Sequence, residues 1–413
     1  MNLPNPVPFA VVVAVLALAV LGILAGGRLS QRSGVPLPLV VLGATALSAR
    51  AARLAPLSEI AVSRIVTVAL IAVLFSGGMH LGRRRVTRSA REVLTLGGAG
   101  TLGTAALGAL FAHFALGFAW YSALLVATAV APTDPTIVFS LLGQNPVAGR
   151  VATVLEGESG ANDPVGISLM TALLGAGAIT VSGLAHAGGT FILQICVGAV
   201  AGVAGGQALL WLIRRPSLGG AGQQPIASAA AAVAIYGVAA AADGSGFLAV
   251  FIAGISLGDE AFPHKVQVER FHSSLASLGE IAAFISLGLT LDLRVLAQMS
   301  TWAPGLALGA VIAFVARPLA TLGCLAGSGM SNPEKAFVAF AGLKGAVPIL
   351  LGTYLLGLNS SQGPRLYGIV VVVAVASVAV QGSLLRPASA RLAKAELKRS
   401  KRRSTPAEPP PGP

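Results

Sequence analysis

Apolar runs of about 17–25 residues, each set off by glycine, proline or charge, recur from one end of the chain to the other. That recurrence leaves little choice of fold. A bilayer core takes about 20 helical residues to cross, and backbone polar groups surrounded by lipid are satisfied only within helices or closed barrels. Thirteen runs qualify, at approximately 8–27, 35–49, 60–82, 93–117, 119–143, 149–176, 187–213, 225–242, 246–258, 271–290, 302–327, 334–356 and 366–385. The composition agrees: 55% of residues are apolar and 10% charged, with a mean hydropathy of +0.81, against about 25% charged in an average soluble domain. The expected fold class is therefore an all-α polytopic membrane protein of about 13 transmembrane helices.

An odd number of spans puts the termini on opposite sides, and the basic residues then test the count. With the C-terminus in the cytoplasm, 21 of the 28 Lys and Arg residues fall on cytoplasmic segments and 4 outside, while Arg64, Arg317 and Lys344 lie within spans. This is the asymmetry that the positive-inside rule requires. It also accounts for the net charge of +13 as basic loops facing anionic lipid, and no nucleic-acid partner is expected. A multi-pass protein of the cell inner membrane follows. The opening MNLPNPVPFA has no basic stretch before the first apolar run, so that run is expected to stay as a helix and not to be cleaved. Cys196 and Cys324 lie in spans and read as small apolar residues. The organisation expected is one membrane domain over 1–390 and a basic, Pro-rich, disordered tail over 391–413.

Two spans carry helix breakers at their middles. In the fifth, Pro132 and Pro135 flank Thr133 and Asp134; in the twelfth, Gly342, Gly345 and Pro348 surround Lys344. Proline removes a backbone donor and clashes with the preceding turn, so both spans are predicted to unwind near mid-membrane. They stand seven spans apart. That spacing fits two inverted repeats, about 8–176 and about 225–385, linked by the span at about 187–213, and paired discontinuous helices mark the site of a secondary transporter.

Chemistry concentrates in the sixth span, where Glu156, Glu158 and Asp163 accompany Ser159 and Asn162. Three bare carboxylates at a bilayer centre would cost roughly 8–10 kcal/mol on an insertion scale, so they face partners or water. Helical spacing puts Glu156, Ser159, Gly160 and Asp163 on one stripe and Glu158 with Asn162 on another. The first stripe can offer Asp163 and Ser159 as hard oxygen ligands to a cation. The second can hold Glu158 against a basic partner, and Lys344 is the lysine available within a span. Thr133 and carbonyls freed by the break add neutral oxygens, and Asp134 can compensate the positive ends of half-helices. One carboxylate that binds either a proton or a cation, exposed to the two sides in turn, is sufficient for exchange.

PTDPT at 132–136, EGESGANDP at 156–164 and GLKGAVP at 342–348, in that order, resemble the sodium/proton exchanger branch of the cation/proton antiporters, and most of all bacterial potassium/proton antiporters, over roughly residues 8–390. The resemblance implies a thirteen-helix fold with core and dimerisation domains, electroneutral exchange of Na⁺ or K⁺ for H⁺ at an Asn-Asp site, a homodimer and no cofactor. It carries ion and proton binding onto Asp163, ligation of the monovalent cation onto Ser159 and Thr133, support onto Asn162, Asp134 and Glu156, and a structural ion pair onto Glu158 and Lys344.

The chain departs from that pattern at two places. Ser76, in LFSGGMHL, stands where relatives commonly have an acid, and Lys344 stands where they usually have arginine, which exchanges a bidentate fork for a point charge. The potassium/proton members also carry a soluble regulatory domain, and the 23 residues after Ala390 are too few to fold as one. Arg317 either pairs with a core carboxylate such as Glu280 or lines the cavity. His80, His113 and His186 read as residues at span ends or in loops, and Asp243 as a turn residue. The rival readings are a cation channel, a non-transporting membrane sensor and an intramembrane hydrolase using Ser159; no hydrolytic signature or ATP-binding loop accompanies them, so neither an enzyme nor a pump is expected.

Overall fold

The structure, a computed structural model, describes residues 21–22, 37–51, 58–142, 149–177, 179–215, 222–358 and 362–404. Among these residues every regular element is helical. In chain order they are α1 (Leu37–Ala51), α2 (Glu59–Arg88), α3 (Ala90–Phe114), α4 (Trp120–Val130), α5 (Pro135–Leu142), α6 (Gly149–Ala176) and α7 (Val181–Ile213). There follow α8 (Gln223–Ala241), α9 (Gly246–Gly258), α10 (Lys265–Leu289), α11 (Met299–Cys324), α12 (Asn332–Phe340), α13 (Ala346–Thr353) and α14, which runs from Gly363 through the segments Gly363–Ala376, Ser377–Gln381 and Gly382–Ser404. Among the described residues 7 helices are long and apolar enough to cross a membrane, and shorter apolar helices accompany them.

Side-chain caps set several helix starts. Ser58 accepts from the Ala61 N–H at 3.3 Å, Thr180 accepts from the Gly183 N–H at 3.0 Å, and Ser331 forms a reciprocal capping box with Glu334. The expected spans from the second onward each meet a helical counterpart, and the first, 8–27, lies outside the described residues apart from 21–22. α10 starts at Lys265, ahead of the expected 271, because the charged residues of its first turns stay helical before the apolar part begins. The segment 391–404, expected to be disordered, is helical to Ser404. Its Ala, Leu, Lys, Arg and Glu are strong helix formers, and their propensity prevails over the polarity that suggested disorder.

Small residues let the inner helices approach at backbone distance. A Cβ on Gly78 of α2 would lie 2.4 Å from the Phe251 carbonyl oxygen on α9, and one on Gly254 of α9 would lie 2.4 Å from the Phe75 carbonyl oxygen on α2. Such close contact replaces the hydrophobic drive that is absent between helices in lipid. At Gly82, with φ 66°, α2 turns sharply, and the Asp259 carboxylate at the end of α9 accepts the Arg84 N–H at 2.5 Å. The outer helices α7 and α8 are mostly exposed along apolar faces, as expected of surfaces that meet lipid.

At the centre the chain is interrupted twice. Residues 131–134 separate α4 from α5, and residues 341–345 separate α12 from α13. The two interruptions touch, since the Asp134 N–H donates to the Leu343 carbonyl at 2.8 Å. α6 passes beside them, and most of its residues from Val151 to Leu173 are buried.

Candidate functional site

Unwinding a helix frees backbone groups, and inside a membrane each must find a partner. At the first break the Ala131 and Pro132 carbonyls accept from Lys344 Nζ at 2.8 and 3.2 Å, and the Thr133 carbonyl accepts from Ser159 Oγ at 2.7 Å. At the second break the Lys344 N–H donates to Ser377 Oγ at 3.3 Å, and the Phe340 carbonyl accepts from Gln381 Nε2 at 3.3 Å. Ser377 and Gln381 are themselves joined at 2.6 Å within a wider π-helical turn of α14. Each break is thus held open by side chains from the other or from a neighbouring helix.

The ammonium of Lys344 therefore sits at the C-terminal end of α4, where half-helix carbonyls concentrate negative charge. Asp134 takes the complementary place. A Cβ on Gly345, just ahead of α13, would fall 2.0 Å from Asp134 Oδ2, so only glycine admits the carboxylate at that helix start. Opposite charges thus lie beside opposite half-helix ends.

α6 uses its two stripes differently. Glu156, Ser159, Gly160 and Asp163 line one cavity of about 540 Å³, together with Asp134, Ser76, His80 and Glu280. The other stripe faces the protein. Asn162 Nδ2 donates to Thr133 Oγ1 at 2.8 Å, and the Asn162 amide oxygen is buried with no hydrogen-bond partner among the described residues. Asp163 is 8% exposed, and both Asp134 and Lys344 are within electrostatic reach of it. Asp163 and Ser159 bring a carboxylate and a hydroxyl to the cavity wall, and Thr133, which is not part of that wall, lies directly behind Ser159 through its carbonyl; these oxygens are the hard donors that suit an alkali cation.

Two expectations need correction. Glu158 does not pair with Lys344: it forms a bidentate ion pair with Arg317, at 2.8 and 3.2 Å, with side chains 3% and 4% exposed. Burial selects arginine here because a planar guanidinium matches both carboxylate oxygens and sheds water more readily than an ammonium. The open face of Gly342 gives it room, since a Cβ there would lie 1.6 Å from Arg317 Nε. Nor does Arg317 meet Glu280, which instead lies on the cavity wall. His80, two residues before the turn at Gly82, is also part of that wall: it hydrogen-bonds the Ser76 carbonyl at 2.7 Å and Ser273 Oγ at 3.3 Å. Beside it, Glu156 is held by Arg85 at 2.9 Å, with both side chains partly exposed at the mouth of the cavity.

The chain matches the family described as sodium/hydrogen exchanger, transmembrane, over residues 3–391. It is 31% identical over 330 residues to the K⁺/H⁺ antiporter NhaP of Alkalimonas amylolytica, across 78% of this chain and 56% of that protein. It is 32% identical over 336 residues to the K⁺/H⁺ antiporter NhaP2 of Shewanella oneidensis, across 80% and 57%. The chain thus spans a little over half the length of these two relatives. A Na⁺/H⁺ antiporter NhaH of Halobacillus dabanensis aligns at 26% identity over 399 residues, 92% of this chain and 96% of that one. Among solved structures, the sodium proton antiporter MjNhaP1 of Methanocaldococcus jannaschii shares the fold, with a TM-score of 0.76 at 20% identity over 93% of this chain and 99% of that one.

Proposed function

The chain belongs to the sodium/hydrogen exchanger family of multi-pass membrane proteins, and from that premise we propose that it is a secondary antiporter exchanging a monovalent cation, Na⁺ or K⁺, for H⁺ at Asp163. One observation carries the reading: two crossing chain breaks, locked by Lys344 and Asp134, stand against a helix whose buried Asp163 opens on a cavity. Asp163 binds a proton or a cation but not both, and exposure of the cavity to each side in turn then couples the two fluxes. Ser159 and Thr133 contribute oxygens to the cation, while Asn162 and Asp134 hold the break in shape. The carboxylate loses one positive charge for each it gains, so exchange is electroneutral.

Inverted repeats over about 8–176 and 225–385, a homodimer, an inner-membrane location with a cytoplasmic C-terminus, and operation without a cofactor complete the proposal; the basic bias of the loops supports the orientation. The test is purified protein in proteoliposomes with a trapped pH dye, with NaCl, KCl and LiCl added in turn at clamped membrane potential. Cation-driven proton movement is expected. Cation current without proton movement would establish the channel reading in its place.

A further inference from the structure

α10 turns a polar stripe toward the cavity. Ser273, Ser277 and Glu280, spaced four and three residues apart, fall on one face, and all three line the cavity that Asp163 also lines. Ser273 stands near the mouth, joined to His80, while Glu280 lies deeper, with Asp134 within electrostatic reach. The basic groups at or near the cavity are already engaged: His80 by the Ser76 carbonyl and Ser273, Arg85 by Glu156, Arg317 by Glu158, and Lys344 by two carbonyls. Glu280 makes no salt bridge or side-chain hydrogen bond among the described residues. A carboxylate inside a membrane protein without a cationic partner requires a mobile one or a proton. The facing helix α2 brings Ser76 and His80 to the same cavity but no carboxylate.

We infer that Glu280 is a second cation-binding carboxylate of the ion path, receiving the monovalent cation between the mouth of the cavity and Asp163. The inference rests on the reading of Asp163 as the exchange site. Glu280 approaches from α10, whereas Asp163 and Asp134 belong to α6 and the broken segment, so a cation held between them is contacted from both walls of the cavity. Such a group governs how tightly, and which, cation enters more than how fast the loaded site turns over.

The test compares wild type, Glu280→Gln, Glu280→Asp and Ser76→Glu/Glu280→Gln in two assays. One is stabilisation of the detergent-solubilised full chain by NaCl and KCl over choline chloride, which reads binding without transport. The other is cation-driven proton movement in proteoliposomes. Glu280→Gln is expected to raise the half-saturating cation concentration about tenfold in both assays, the change that follows loss of one charged ligand contact, with a smaller change in maximal rate. Glu280→Asp is expected to shift it by only a few fold, and Ser76→Glu to recover most of the loss, because the carboxylate returns to the same cavity. Half-saturation within about twofold of wild type in Glu280→Gln, or a loss that Ser76→Glu leaves untouched, would overturn the inference. Exchange retained by Asp163→Asn would instead overturn the site reading, and the stabilisation assay would still decide whether Glu280 binds cation.

Discussion

Removing the guanidinium of Arg317 should be among the most damaging single changes in this protein. The side chain is 4% exposed and pairs in both arms with Glu158, itself 3% exposed, so water cannot take over for the lost partner. Arg317→Met keeps the apolar stem and leaves Glu158 as an uncompensated buried charge, at a cost of about 3–5 kcal/mol. Spread over an unfolding entropy of about 2.1 cal/mol/K per residue, that cost lowers the melting temperature of the 413-residue chain by about 4–6 °C. Glu158→Gln alone strands the arginine, whose Nε already has no partner among the described residues, and should cost a similar amount. The double variant should lose much less than the sum. The assay is a double-mutant cycle on thermal unfolding in detergent, read by fluorescence-detected size exclusion. Losses that add within about 0.5 kcal/mol would mean that the two residues are independent, and the account of this helix junction would be wrong.

Lys344→Met should leave the Ala131 and Pro132 carbonyls without a donor and lower stability by about 2–4 kcal/mol, measured by the same unfolding assay. Gly345→Ala would drive a methyl into Asp134, so exchange in proteoliposomes should fall at least about tenfold, as expected when a site group is displaced by about 1 Å, while the protein remains monodisperse. Thr133→Ala leaves Asn162 with neither end satisfied and should cost about 1–3 kcal/mol, whereas Thr133→Ser, which keeps the hydroxyl, should be nearly silent in a melting curve.

What the sequence discloses and what it hides follow from the range of the forces involved. Proline and glycine act on their immediate neighbours, so Pro132, Pro135, Gly342 and Gly345 mark both breaks in the order of residues alone. Helical spacing is also local, and the stripe Glu156, Ser159, Gly160 and Asp163 lies on the cavity as the period requires. Partner choice is not local. Lys344 is the lysine nearest the acidic helix in the motif pattern, but the crossing of the breaks delivers its ammonium to carbonyls, while Arg317, at the head of an unremarkable Arg-Pro step, reaches Glu158 through the space left by Gly342. The signal available for that pairing is an arginine within an apolar span. Glu280 is legible as a charge in a span, but its place opposite Asp163 depends on how α10 packs against α2, which no periodicity encodes.

The central claim is that Asp163 carries the exchanged ions, and it is tested most directly by Asp163→Asn in proteoliposomes with a trapped pH dye. The amide keeps the shape of the carboxylate but binds neither a proton nor a cation at charge balance. The variant should fold with the same elution profile as the wild type and show no cation-driven proton movement with NaCl, KCl or LiCl. Proton movement at the wild-type rate in that variant would place the exchange site elsewhere.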